Sequence, residues 1–162
     1  MLDLALLKAD LRNTKYISFS KDEPKKLQRI IVAGYPFGQY ISDDLKFTSG
    51  IVSSLKGPGD DSTLVQVDAA LNVGNSGGPI FNKFGEIVGI ATGKINKEEV
   101  LKNEGFIPED VNYAVKTDRV ASFLNLPIKV SLKNTTETNY EYNAQELYKY
   151  MRSAVVLIVG QE

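Results

Sequence analysis

The chain has 162 residues, 43% apolar and 24% charged, with a net charge of −1, which fits about one ordinary globular domain. Its 19 Lys and Arg residues form no run longer than Lys25–Lys26, so nothing marks a nucleic-acid surface. Neither cysteine nor histidine occurs, which excludes a disulfide framework and a thiolate or imidazole metal site. No spacing matches a calcium loop, and "ATGK" (91–94) lacks the upstream glycine of a P-loop, so no metal and no cofactor is expected.

In chain order, "LDLALLK" (2–8) is short and apolar and predicts a buried strand. Asp3 and Lys8 interrupt it and no small-residue cleavage site follows, so it is not a signal peptide. "YISF" (16–19) is a second short run, followed by the polar loop "SKDEPKK". "QRIIVAGYPFG" (28–38) reads as a strand ended by Pro36 and Gly38, and "FTSGIVSSLKG" (47–57) as one closed by the loop "GPGDDS". "TLVQVDAA" (63–70) is a further strand, and "GPIFNKFGEIVGIATG" (78–93) a hairpin turning at "NKFGE". Residues 94–111 are polar and predict a surface loop with a helical turn; "NYAVK" (112–116) is the last strand, and "TDRVASFL" (117–124) a short helix with Thr117 as its N-cap. Many short strands at modest spacing predict an all-β barrel or sandwich.

Residues 125–143 are polar and read as a linker. Ala144, Leu147, Tyr148 and Met151 then recur at helical spacing, and "AVVLIV" (154–159) has the pattern of a strand. The longest apolar run, residues 153–160, is far too short to span a membrane as a helix.

Chemistry concentrates in "LNVGNSGGPIF" (71–81), where Ser76 stands among Gly74, Gly77 and Gly78. A nucleophilic serine needs an exposed Oγ and backbone N–H groups aimed at a developing oxyanion, and a glycine-rich turn supplies both without crowding. Gly74 and Gly78 fit the G-x-S-x-G pattern of lipase-type elbows, but a strand pattern follows where that motif needs a helix.

The stretch "QVDAALNVGNSGGPIFNKFGEIVGI", with "GYPFG" (34–38), "TSGIVS" (48–53) and "NYAVKTDRV" (112–120) in the same order, resembles the HtrA/Deg branch of trypsin-like serine proteases, over roughly residues 1–124. The resemblance implies a chymotrypsin fold: all-β, with a remnant of the first barrel in residues 1–28, a six-stranded second barrel carrying the nucleophile in 29–124, and short helices at the C-terminus. It implies a serine endopeptidase acting on polypeptides, with Ser76 as nucleophile and the Gly74 and Ser76 N–H groups as oxyanion hole. Asp3, in "DLALLK", takes the place of the triad aspartate, whereas Asp68 falls at a structural position. The primary pocket is walled by Ala70 and Leu71 and, opposite, by Val111 and Tyr113; Thr92, Gly93 and Lys94 form the edge that pairs with substrate backbone. No aspartate stands at the pocket base, so small or medium apolar side chains are the expected preference.

In this class the triad histidine precedes the aspartate, so the base would lie upstream of Asp3, in a first barrel of which only the last strand or two is present. Without it the chain alone is expected to be inactive. Asn75 replaces the aspartate with which trypsin-like zymogens pair a new N-terminus, so that activation route is not expected, and Val73 replaces a proline frequent in the branch. The branch is extracytoplasmic, commonly carries PDZ domains and assembles as trimers, so a homo-oligomeric parent is implied. The alternative to an active peptidase is a pseudoprotease retaining the fold as a polypeptide-binding or chaperone-like module. HtrA-type domains also open with a short helix and a "VV-x-I" strand, so residues 144–162 read either as a C-terminal helix and strand on the barrel or as the start of a second protease-like domain.

Overall fold

A computed structural model describes residues 3–8, 15–37, 44–94, 97–106, 108–124 and 141–158. Six strands, β1 (Arg29–Gly34), β2 (Lys46–Ser54), β3 (Leu64–Val67), β4 (Pro79–Phe81), β5 (Ile87–Lys94) and β6 (Asn112–Lys116), close into an antiparallel barrel in the order β1-β2-β3-β6-β5-β4. The register pairs Ile31 with Ser49 and Phe81, Val65 with Ala114, and Ile90 with Val115. Closure leaves no strand edge of the barrel unpaired along its circuit.

The alternation of side chains along each strand gives the barrel two apolar surfaces. Ile30, Val32, Val52, Val65, Val67, Ile80, Val88 and Ala114 point inward and form the barrel core. Ile31, Ala33, Phe81 and Ile87 belong to a second cluster on the outside of β1, β4 and β5. That outer face is covered by α3 (Ala144–Met151), whose Leu147 and Met151 are buried against it. Asn143 starts α3 with a capping box: its side chain accepts from the Gln145 and Glu146 N–H groups, and the Glu146 side chain accepts from the Asn143 N–H. The approach to α3 is anchored too, since Tyr142 N–H donates to the Lys83 carbonyl at 3.1 Å and Lys83 pairs with Glu141.

Tyr142 and Tyr150 stack at 5.5 Å between ring centroids. Burial, with Tyr142, Tyr16 and Glu86 nearby, holds the Tyr150 hydroxyl above its ordinary value of 10.0. A raised folded-state value means that this stabilisation is complete below the unfolded-state value and is lost as pH rises through the folded one. Raising the pH beyond 10 should therefore loosen α3. The far-ultraviolet circular dichroism of Tyr150→Phe should show a smaller alkaline helix loss than that of the parent chain.

Three local expectations are corrected. Residues 4–8 form no strand, and Leu6 and Leu7 are 72% and 61% exposed, because no described strand lies beside them. The "YISF" run contributes one parallel bridge, Phe19 to Ile87, rather than a strand. Thr117 is the first residue of α2 (Thr117–Phe123), not its cap: β6 runs straight into this helix, Lys116 is the capping position, and the Thr117 side chain is buried. Residues 154–158, for which the sequence leaves both a packed strand and an unpartnered one open, pair with no strand among the described residues, and Val156, Leu157 and Ile158 are exposed; Val159 lies outside the described residues. The polar stretch before β6 holds more than a helical turn, the eight-residue α1 (Lys97–Glu104), ended by Gly105 at φ +77°. Residues 125–140 of the expected linker lie outside the described residues.

Candidate active site

Between β3 and β4 the chain makes two consecutive tight turns. Asn75 N–H donates to the Asn72 carbonyl and Gly78 N–H to the Asn75 carbonyl, each at 2.9 Å. Gly74 (φ +97°) and Gly77 (φ +80°) supply the backbone angles that L side chains resist. Ser76, between them, is exposed at the outside of the second turn. The turn is tied to β5 by Gly77 N–H donating to the Ala91 carbonyl at 2.7 Å and Ala91 N–H to the Gly78 carbonyl at 2.9 Å. Among the described residues, neither the Gly74 nor the Ser76 N–H donates to a backbone carbonyl.

Ser76 Oγ donates to the Thr92 carbonyl at 2.9 Å. A carbonyl oxygen cannot take up a proton at neutral pH, so this contact orients the hydroxyl without activating it. Thr92 is available because β5 bulges there: the register against β6 shifts between Ala91 and Gly93. The Thr92 hydroxyl donates to Asp3 Oδ2 at 3.3 Å, which brings Asp3 to the same corner of the molecule as Ser76, with Thr92 between them.

The segment leading to the turn is fixed from three sides. Thr48 Oγ1 donates to the Ala70 carbonyl and the buried Asn112 side-chain amide to the Ala69 carbonyl, each at 2.9 Å. Asp68 Oδ1 accepts from Ile51 N–H at 2.6 Å, the structural task expected of that carboxylate. Gly50 makes room for it, since a Cβ there would lie 2.2 Å from Asp68 Oδ1. Asp68→Ala should cost about 1–3 kcal/mol by leaving the Ile51 donor unpaired, as read from urea unfolding.

Ala70 is exposed, whereas Leu71 is only 6% exposed and packs in the barrel core, so Leu71 presents backbone rather than side chain outside. Val111 is half-buried just before β6, and Tyr113 is buried, opposite Gln66 on β3 and Gly93 on β5. Burial pushes the Tyr113 hydroxyl up from its ordinary value. A Cβ added to Gly93 would meet nothing within 4 Å, so the sheet face at this position is uncrowded. Lys94 ends β5, paired with Asn112. Sequence reasoning missed Asn112 and the residues behind the turn: a Cβ on Gly34 would lie 2.6 Å from Asn75 Oδ1, one on Gly74 would lie 2.4 Å from the Tyr35 carbonyl oxygen, and Phe37 N–H donates to the Val73 carbonyl at 2.8 Å. The run "GYPFG" was the available signal.

A closed six-stranded antiparallel barrel with few short helices and a glycine-rich serine turn between its third and fourth strands has the architecture of the second barrel of chymotrypsin-like serine peptidases. The chain belongs to the trypsin-like peptidase domain family, which matches residues 1–90, and within it is of the HtrA/DegP type, a group of serine endoproteases. It is 34% identical over 122 residues to the uncharacterized protein y4bJ of Sinorhizobium fredii, covering 75% of this chain and 19% of that protein. A probable periplasmic serine endoprotease of DegP-like type from Rhizobium meliloti is 47% identical over 97 residues, covering 56% of this chain and 18% of the relative. The crystal structure of a serine endoprotease from Yersinia pestis superposes with a TM-score of 0.57 at 27% identity, over 73% of this chain and 37% of that one. The chain thus spans about a fifth of the length of these two relatives.

Proposed function

We propose that this chain is the nucleophile-bearing part of a serine endopeptidase, with a general-base histidine contributed from outside residues 1–162. The observation that carries the reading is the exposed Ser76 hydroxyl next to the Gly74 and Ser76 N–H groups, which no barrel ladder consumes. In the proposed reaction Ser76 Oγ leaves the Thr92 carbonyl, passes its proton to the histidine and adds to the carbonyl carbon of the scissile peptide. The two N–H groups receive the oxyanion. Collapse breaks the C–N bond, the amine leaves with the proton from the histidine, and water hydrolyses the acyl-enzyme. Asp3 would orient the imidazole. Substrate backbone would lie along Thr92, Gly93 and Lys94, with an apolar side chain between Ala70, the Leu71 backbone, Val111 and Tyr113.

The chain has no histidine, and so by itself should show no ordinary proteolysis. The test is labelling by a fluorophosphonate probe. The isolated chain should label at background, and the chain co-expressed with a histidine-bearing first barrel of the HtrA type should label at Ser76. A folded, reconstituted protein that remains unlabelled would instead support the pseudoprotease, a reading favoured by the parked Ser76 hydroxyl.

We further propose an extracytoplasmic location, supported by the periplasmic assignment of the Rhizobium meliloti relative, and a homo-oligomeric parent. Among the described residues no helix is long and apolar enough to cross a membrane. For the C-terminal region, α3 packs on the barrel, while the unpartnered apolar residues 156–158 favour a strand of a further protease-like domain beginning near residue 144. Extending the chain with its downstream coding sequence should pair this segment and protect its amides from exchange; unchanged exchange would remove the tandem-domain reading.

A further inference from the structure

The continuation of β1, residues 33–37, lies between the serine turn and α3. On one side it touches the turn at four successive points. The Ala33 carbonyl oxygen would lie 2.5 Å from a Cβ on Gly78, Gly34 abuts Asn75, the Tyr35 carbonyl abuts Gly74, and Phe37 N–H donates to the Val73 carbonyl. On the other side the Ala33 and Tyr35 side chains join Leu147, Met151 and Val155 in the outer apolar cluster, and Tyr35 Oη donates to the Val155 carbonyl at 3.4 Å. Phe37 ends this segment at φ +63°, a left-handed conformation that is costly for a bulky side chain and persists only where neighbours hold it.

We infer that α3 is a brace for the serine turn, with Tyr35 as the positioning residue between them, so that docking of α3 sets the order of residues 73–77. An eight-residue helix is marginal alone, so α3 is held by the burial of Leu147 and Met151 against the barrel. Anything that draws α3 off the barrel removes the support behind Tyr35, and the Gly74 and Ser76 N–H groups lose their fixed direction. The coupling is reciprocal: a ligand that fixes the turn tightens α3. Its consequence for catalysis rests on the function proposed above, but the coupling itself does not.

Hydrogen exchange on the whole chain tests it. Asn143→Ala removes only the α3 cap and should speed exchange of α3 by about fivefold, with a parallel increase at the bonded amides of Asn75 and Gly77 and unchanged protection in β3 and β6. Tyr35→Phe, which removes only the hydroxyl bonded to Val155, should raise exchange in both places by a smaller factor. Leu147→Asp should release α3 and give the largest increase at the turn. If that variant unfolds globally, the two milder ones decide. Faster exchange of α3 with unchanged exchange at Asn75 and Gly77 overturns the inference. Absence of fluorophosphonate labelling in the reconstituted protein would count against the catalytic reading and leave this coupling standing.

Discussion

Ser76→Ala in the reconstituted protein should abolish fluorophosphonate labelling and lower peptide turnover by about a millionfold, the cost of losing a nucleophile that acts as one unit with its base. Stability barely changes. Ser76 is exposed and gives up one hydrogen bond, to the Thr92 carbonyl, worth about 0.5–1.5 kcal/mol net. For a chain of this size the melting temperature should fall by no more than roughly 5 °C. Labelling that survives in Ser76→Ala would mean that another hydroxyl reacts and that the glycine turn is structural.

Gly74→Ala separates the oxyanion turn from mere glycine content. The residue sits at φ +97°, and its added Cβ would lie 2.4 Å from the Tyr35 carbonyl oxygen, so the turn must move away from β1. The strained angle alone costs about 1–3 kcal/mol. Displacing one N–H donor of an oxyanion hole lowers turnover by about a hundred- to a thousandfold. Gly77→Ala is the control: its angle is also left-handed, but its Cβ would meet nothing within 4 Å. Gly77→Ala should therefore be the more stable of the two in thermal unfolding and should label faster. Equal labelling rates would show that the close approach of Tyr35 to Gly74 has no bearing on the reaction.

The strands of the barrel were legible because their signals are local. Ile30 and Val32 alternate with Ile31 and Ala33, and "NKFGE" turns the β4–β5 hairpin through the Asn82 N–H bond to the Glu86 carbonyl. The Ser76 turn was legible for the same reason, with Gly74 and Gly77 falling where positive φ angles are required, whereas Gly78 is needed for its close approach to the Ala33 carbonyl. Partners distant in sequence were not. Nothing in "AVVLIV" tells whether a strand lies beside it, and β-branched runs without a neighbour remain extended chain. The Thr117 hydroxyl would suit a cap, but β6 enters α2 without a break, which spends the capping position on Lys116. Asn112 also escaped notice, because a buried amide bonded to a carbonyl 43 positions earlier leaves no local pattern.

The contact of Gly74 and Asn75 with residues 34 and 35 also governs when the site can exist. Their partners lie at and just past the end of β1, which reaches β4 by pairing Ile31 with Phe81 and Val32 with Ile80 across a long stretch of intervening chain. Such distant pairings form late, because the entropy of closing the loop must be met before the contacts return anything. A nascent or partly unfolded chain therefore carries a serine but no organised turn around it.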